Sequence, residues 1–336
     1  MTHVKNLLLE LQKTGQHNIK IFDTTFHKNG TKKSIIQSIW EIMAFQYQPY
    51  DVIYINASIY FTSLVKLGLL LKRMYMGSMP TKKVFVKFHG GSFHNIRGTQ
   101  KRYLQLLLTG KIRSQVDSFM FLTEEQKQEF QNRFPCDTDK LKLSFNCVKV
   151  EPDYPAKDFS VLKILFLSRM EKAKGIYEFI EAARELSGRP NIRFFIAGSG
   201  TEEKNVEKAV NKMSNTTYIG AVKGDIKERL IKECNVFCLL SEAEAVPYAL
   251  LENMAWGNIP IVTDVGRMKQ IVETQQSGYV INKNSKELLQ VIERLASDQE
   301  AALEKSYKAY LTIKEMQEGE NIDQCLQFLQ NGTLVL

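Results

Sequence analysis

The sequence predicts an α/β protein of two domains, each built on a mostly parallel sheet. Three observations carry this. Short β-branched and aromatic runs alternate with helix-period stretches from end to end. The 336 residues are too many for one small core and fit two domains of ordinary size. Between Val148 and Phe159 the alternation lapses into a stretch with Pro152 and Pro155 and no periodicity, the natural place for a linker. The expected division is a first domain over 1–150, a linker over 151–160, a second domain over 161–315 and a last helix over 316–336.

In the first half, Val4 to Thr14 reads as a helix, Ile19 to Asp23 as a strand and Ile35 to Phe45 as a helix. Asp51 to Asn56 is a strand, Ile59 to Met74 a helix and Lys83 to Phe88 a strand. Gln100 to Leu108 is helical and Ser118 to Leu122 extended. Thr123 with Gln126 three residues on is a capping box opening the next helix. The second half restarts with the strand Lys163 to Leu167, the helix Gly175 to Leu186 and the strand Arg193 to Ala197. Then come the strand Thr216 to Ile219, a helix over Ile226 to Lys232 and the strand Val236 to Leu240. The helix Tyr248 to Trp256, the strand Ile259 to Thr263 and a helix near Ser285 to Ala296 complete the pattern. A nucleotide-type α/β domain normally opens on a strand and a glycine-rich turn. Here the first element is helical, so that strand and turn are expected to be missing.

Hydrophobic content of 44% and charged content of 24% describe a soluble globular protein. No cleavable leader is recognisable after Met1, and the longest apolar stretch, Ile59 to Met76, is interrupted by Thr62, Ser63, Lys66, Lys72 and Arg73. The expectation is a cytoplasmic protein. The five cysteines are scattered, and Cys234 and Cys238 lack the partners of a zinc site, so neither a metal nor a disulfide framework is expected. The net charge of +8 is unevenly held: residues 1–150 carry 22 Lys and Arg against 10 Asp and Glu, the remainder 23 against 27. A basic first half suits an anionic membrane surface or a phosphate-bearing acceptor. Its basic residues are spread and no aromatic-plus-basic motif appears, so nucleic acid is not an expected partner. For Ile59 to Met76 two readings stay open: docking on anionic lipid at the inner face of the membrane, or a core-packed helix whose lysines reach out to water.

The segment from Ser241 to Gly257 is the most informative. It follows a strand, so its loop lies at a carboxyl strand end, where open α/β sheets bind ligands. Pro247 suits the first turn of a helix and Gly257 its stop. The helix start offers backbone N–H groups at Tyr248, Ala249 and Leu250 as a diphosphate cradle. Glu244 in the loop and Glu252 one turn into the helix are two acceptors flanking that anion site. Taken singly, each glutamate reads as an ordinary solvated residue; it is the whole spacing that carries the functional reading.

Glu244 and Glu252, eight residues apart within Glu-Ala-Val-Pro-Tyr-Ala-Leu-Leu-Glu-Asn-Met-Ala-Trp-Gly-Asn-Ile-Pro, resemble the signature of family 4 glycosyltransferases of the GT-B fold. The resemblance is detailed over about 161–283 and looser elsewhere. It implies two facing Rossmann-like domains, with the donor nucleotide-sugar held mainly by the second and the last helix crossing back to the first. It implies that Glu244 meets hydroxyls of the donor sugar and Glu252 the nucleotide ribose. Arg169 and Lys174, after the strand that ends at Leu167, look like the family's Gly-Arg-x4-Lys-Gly segment, whose cations neutralise the donor diphosphate; Ser168 stands where glycine is common. Such fixed cations stabilise charge gathering on the leaving group. Gly198 and Gly200 match a tight turn beside the donor, and the stretch ending at Val222 the backbone that meets the nucleobase. By the same resemblance His89, at a strand end, lies near donor sugar and acceptor, with Gly90, Gly91, Ser92 and His94 on the acceptor side, and Asn146 is structural. Arg267 and Gln270 replace the family's usual glycine and glutamate.

The resemblance therefore implies retaining transfer from a nucleotide-sugar, a UDP-sugar before others, to a saccharide or lipid-linked acceptor in cell-surface polysaccharide synthesis. No cofactor is expected. Two other readings remain: a silent relative serving as a binding or partner subunit, and a nucleotide-sugar 2-epimerase, whose expected catalytic acids are not seen.

Overall fold

The computed structural model describes residues 148–319 continuously and, outside them, 19–20, 27–28, 31–32, 35–44, 52–76, 83–89, 93, 96, 98–107, 114, 116–134, 136–144, 146 and 334–335. The expected helix Val4 to Thr14 lies outside the described residues. The chain divides into two compact units, residues 1–147 with 321–336, and residues 148–320.

The first unit carries a six-stranded sheet whose pairings are all parallel. Its order is β1 (Ile19–Lys20), β14 (Leu334–Val335), β4 (Val52–Ala57), β5 (Lys83–Phe88), β6 (Ser118–Phe121), β7 (Leu141–Leu143). β2 (His27–Lys28) and β3 (Thr31–Lys32) form a separate antiparallel pair. Val84 to Phe88 are all buried, as befits a central parallel strand covered on both faces. The strand between β1 and β4 comes from the far end of the chain, where the sequence pattern suggested a helix.

Helices α1 (Ile35–Ala44), α2 (Phe61–Met76), α3 (Gly98–Leu107) and α4 (Glu124–Arg133) follow the strands. α2 directs Leu64, Leu67, Leu71 and Met74 into the core. Lys66 is buried as well, and the apolar stripe of α2 is packed in the core of this unit. This is the core-packed arrangement of the two readings; among the described residues Tyr60, just before α2, and Phe61 and Lys72 within it are exposed. α4 begins as the capping box requires. The Gln126 N–H donates to Thr123 Oγ1 at 3.1 Å, while Gln126 Oε1 reaches one residue further back and accepts from the Leu122 N–H at 3.2 Å.

Phe88, Phe93, Phe119, Phe121, Phe130 and Phe134 form one aromatic cluster around the ends of β5 and β6. Phe93 packs edge-on against Phe88 at 5.2 Å, which anchors the loop that leaves β5.

The second unit has the sheet order β10 (Thr216–Gly220), β9 (Ile192–Ala197), β8 (Leu162–Leu167), β11 (Val236–Leu239), β12 (Ile259–Val262), β13 (Tyr279–Val280), all parallel. Counted within the unit this is 3-2-1-4-5-6, the doubly wound order that reverses between β8 and β11. The helices are α5 (Ile176–Glu185), α6 (Glu203–Val210), α7 (Gly224–Glu233), α8 (Tyr248–Ala255), α9 (Met268–Glu273), α10 (Ser285–Ser297) and α11 (Gln299–Gly319). α5 shows why the pattern was readable: Ile176, Phe179, Ile180, Ala182 and Ala183 make one buried stripe against β8 and β9.

The proline-bearing stretch does not hang free. Tyr310 Oη donates to the carbonyls of Glu151 and Pro152 at 2.9 and 2.8 Å, and Tyr154 shares a 2.7 Å hydrogen bond with Ser306. Lys157 Nζ donates to the carbonyls of Ile231, Lys232 and Cys234, closing the C-terminal end of α7. The expected last helix over 316–336 also differs. Its first four residues are the end of α11, which packs on α8 and β12 through Ala302, Ala309, Tyr310 and Ile313. Among the described residues no helix is long and apolar enough to cross a membrane.

Candidate functional site

Where the strand order reverses, the loops leaving β8 and β11 lie side by side at the carboxyl edge of the sheet, the place where open α/β sheets bind ligands. These two loops carry Arg169 with Lys174, and Glu244. Close backbone contacts hold the two loops together. Gly175, with φ +80°, lies so near β11 that a Cβ there would sit 2.6 Å from that of Leu240. The Glu242 N–H donates to the carbonyl of Ala173 at 2.8 Å, tying the two loops together.

Lys174 is buried and its three donors are all engaged: Ser241 Oγ at 3.2 Å, the Ala243 carbonyl at 3.1 Å and Glu244 Oε1 at 2.6 Å. The structure thus brings two of the sequence-predicted residues into direct contact. Lys174 fixes the carboxylate of Glu244 against the loop that leaves β8. Arg169 stays largely in solvent, its guanidinium 2.6 Å from Glu171 Oε1, an exposed ion pair of little energy.

Gly198 and Gly200, after β9, press on the same loop. The Ser168 N–H donates to Ala197 O, the Met170 N–H to Ser199 O, and the Glu202 N–H to Met170 O. The loop after β12 closes the far side: Thr263 Oγ1 donates to Ser241 O at 2.5 Å and the Arg267 N–H to Ala245 O at 2.9 Å. The guanidinium of Arg267 holds Gln270 at 2.9 Å, so the two residues that depart from the family pattern support each other.

Pro247 is the N-cap of α8. One expectation needs correction here. The Leu250 N–H donates to the Pro247 carbonyl at 3.1 Å, because the first turn tightens to an i→i+3 bond. Of the three N–H groups expected to be open at this helix start, that of Leu250 is thus spent within the helix, and its side chain is buried.

Glu252, five residues into α8, meets a partner that the motif did not reveal. Lys227 of α7 donates to both of its oxygens, at 2.6 and 2.8 Å, with the two side chains 24% and 15% exposed. Burial pushes the Glu252 carboxyl above the usual range, and Lys227 works against that shift. Val222 is half-buried in the loop between β10 and α7, with Ile219 and Ile226 exposed on either side. This loop offers an apolar surface next to the Lys227–Glu252 pair.

In the first unit His89 directly follows β5 and its backbone N–H donates to Ala57 O. Its Nε2 hydrogen-bonds Asn56 Oδ1 on β4, a partner that no motif announced. Burial, then the charge of Lys87, lowers its pKa from 6.5 to about 3, so the imidazole is neutral near pH 7. Gly90, Gly91, Ser92 and His94 lie outside the described residues. Asn146 is buried. Among the described residues no group of three or more His, Cys, Asp or Glu is placed to hold a metal ion.

The family match falls within the second unit. Residues 155–312 match the family described as Glycosyl transferases group 1. An uncharacterized glycosyltransferase of Methanocaldococcus jannaschii is 30% identical over 139 residues, 40% of this chain and 36% of that protein. The N,N'-diacetylbacillosaminyl-diphospho-undecaprenol alpha-1,3-N-acetylgalactosaminyltransferase of Campylobacter jejuni is 28% identical over 141 residues, 42% of this chain and 37% of that one. The matched stretch thus spans little more than a third of either relative. Among solved structures, Anabaena Alr3699/HepE in complex with UDP superposes with a TM-score of 0.65 at 15% identity, covering 88% of this chain and 81% of that one. The fold is GT-B, an α/β architecture with two parallel sheets.

Proposed function

Through residues 155–312 the chain belongs to the glycosyl transferases group 1 family, and from that premise we propose that it transfers a sugar from a nucleoside diphosphate donor to a saccharide or lipid-linked acceptor, with retention at the anomeric carbon. The observation that carries this reading is the pairing of Lys174 with Glu244 at the switch point, beside the start of α8. Glu244 accepts from hydroxyls of the donor sugar and Glu252 from those of the ribose. The diphosphate rests on the N–H groups that open α8 and on Arg169. An oxygen that reaches Lys174 competes with Ser241 and Ala243 for its protons. Gly198 and Gly200 let the backbone come close to the donor, and the Val222 loop faces the base.

In the reaction the bond between the anomeric carbon and the phosphate oxygen breaks while the acceptor hydroxyl oxygen bonds to that carbon from the same face. The acceptor proton passes to the departing phosphate, whose growing charge Arg169 and the α8 dipole stabilise. His89 and the loop after it serve the acceptor side, where a neutral imidazole holds hydroxyls without adding charge. The Campylobacter relative, whose name specifies an undecaprenol-linked acceptor, and the UDP held by HepE support a lipid-linked acceptor and a uridine donor.

The test is a thermal-shift panel of UDP, GDP, ADP and their sugars on wild type and Glu252→Ala. A donor at about 100-fold its dissociation constant adds ~2.7 kcal/mol, or roughly 5–10 °C for a unit of this size. Stabilisation by one nucleotide, lost in the variant, is the expected result. No response to any of them in the wild type overturns the proposal.

A further inference from the structure

The pair formed by Lys227 and Glu252 is placed where no local motif put it. α7 makes the crossover from β10 back to β11, and Lys227 in its opening turns reaches across to α8. Both carboxylate oxygens of Glu252 are taken by one ammonium, at 2.6 and 2.8 Å. Two consequences follow from counting donors and acceptors. An ionised carboxylate has about four lone-pair sites and an ammonium three protons. The pair therefore keeps about two acceptor sites on Glu252 and one proton on Lys227 for a ligand. That complement fits a vicinal diol, which brings two O–H donors and oxygens that accept.

We infer that Lys227 is a positioning residue for the nucleotide: it fixes the plane and the charge of Glu252, so that the pair as one unit holds the 2′- and 3′-hydroxyls of a ribose and rejects a 2′-deoxyribose. This rests on the donor-site reading above and adds to it both the residue and the discrimination. The alternative, that Lys227 merely neutralises a half-buried carboxylate for stability, leaves the ligand preference to Glu252 alone. Geometry argues for the more specific role. A carboxylate gripped at both oxygens by a single ammonium cannot rotate about its last torsion without losing one bond. A protonated Glu252 would replace one acceptor by a donor and repel the hydroxyl that needs it.

The experiment measures dissociation constants of UDP, GDP and ADP, each beside its 2′-deoxy form, for wild type, Lys227→Met and Lys227→Arg. Wild type is expected to prefer one ribonucleotide over its deoxy form by about tenfold or more, the range of a hydrogen bond to a charged group. Lys227→Met is expected to weaken that ribonucleotide by a similar factor and to reduce the ribo-to-deoxy preference to about twofold. Lys227→Arg, which can grip both oxygens, should restore most of the preference. In turnover with the corresponding nucleotide-sugar, the Met variant should raise KM far more than it lowers kcat. A ribo-to-deoxy preference in Lys227→Met equal to that of wild type overturns the inference, as does equal binding of the two forms by wild type. Wild type that binds none of the three nucleotides overturns the donor-site reading itself, which separates the two failures.

Discussion

Replacing Gly198 by alanine tests how tightly the site's backbone is packed. Gly198 follows β9 with φ +139°, and a Cβ built there lies 1.9 Å from the carbonyl oxygen of Ser168 and 3.0 Å from Met170 Cε. Such atoms do not approach within 3.0 Å, so the Ser168 to Met170 backbone must retreat by roughly 1 Å. It is held by the bonds from Ser168 to Ala197, from Met170 to Ser199 and from Glu202 to Met170, so retreat strains all three. Overpacking costs about 1–3 kcal/mol and a side chain at this φ about as much again, giving roughly 2–6 kcal/mol and a fall in Tm of roughly 4–24 °C. Gly188→Ala is the control: nothing lies within 4 Å of its Cβ, and the change should stay within about 0.5 kcal/mol. The two tryptophans, Trp40 and Trp256, fall in different units, so in a Trp40→Phe background Trp256 fluorescence follows urea unfolding of the second unit alone. Because Ser168 precedes Arg169, nucleotide affinity should fall together with stability. A Gly198→Ala midpoint equal to that of Gly188→Ala would refute the packing argument.

Two further outcomes are expected. His89 titrates at about 3 when folded against 6.5 in a model peptide, so between those values the unfolded chain binds more protons, and stability falls as pH drops below about 6.5. At pH 5 the loss in the first unit approaches ~2 kcal/mol, and urea titrations of wild type and His89→Gln at pH 5 and 7 should show the slope only in wild type. Lys174→Met leaves Glu244 without its ammonium and should cost about 2–4 kcal/mol; adding Glu244→Gln should recover part of this, whereas additive losses in the double variant would show the pair to be uncoupled.

What the sequence disclosed follows from how far apart the interacting residues lie. β8 was legible because a central parallel strand is an unbroken apolar run, and Leu162 and Ile164 to Leu167 are buried. α4 was legible because Thr123 and Gln126 cap it locally. The greater part of α11 was not: its buried face includes Ala302, Ser306, Ala309 and Thr312, small or polar residues that give no apolar period. α6 and α9 are short, and their few buried residues gave no period that stood out. β14 is two residues long and pairs with β1 and β4, more than 280 positions away, so nothing near Leu334 announces it.

The same reasoning explains which half of the site could be read. Glu244 and Glu252 share a loop and a helix start, so their spacing, with Pro247 between them, is a local pattern that survives as a motif. Their cations are not equally local. Lys174 sits in a recognisable loop after β8, but its contact with Glu244 exists only because β8 and β11 are neighbours at the reversal of strand order. Lys227 has no motif at all; the crossover of α7 alone brings it to Glu252. A local motif thus names the acceptors, while the topology decides which cation holds each one and therefore its orientation. For a site that works by holding hydroxyls and spreading phosphate charge, that second decision sets the chemistry. The informative substitutions are accordingly those at Lys174 and Lys227, which alter the state of the two glutamates without removing them.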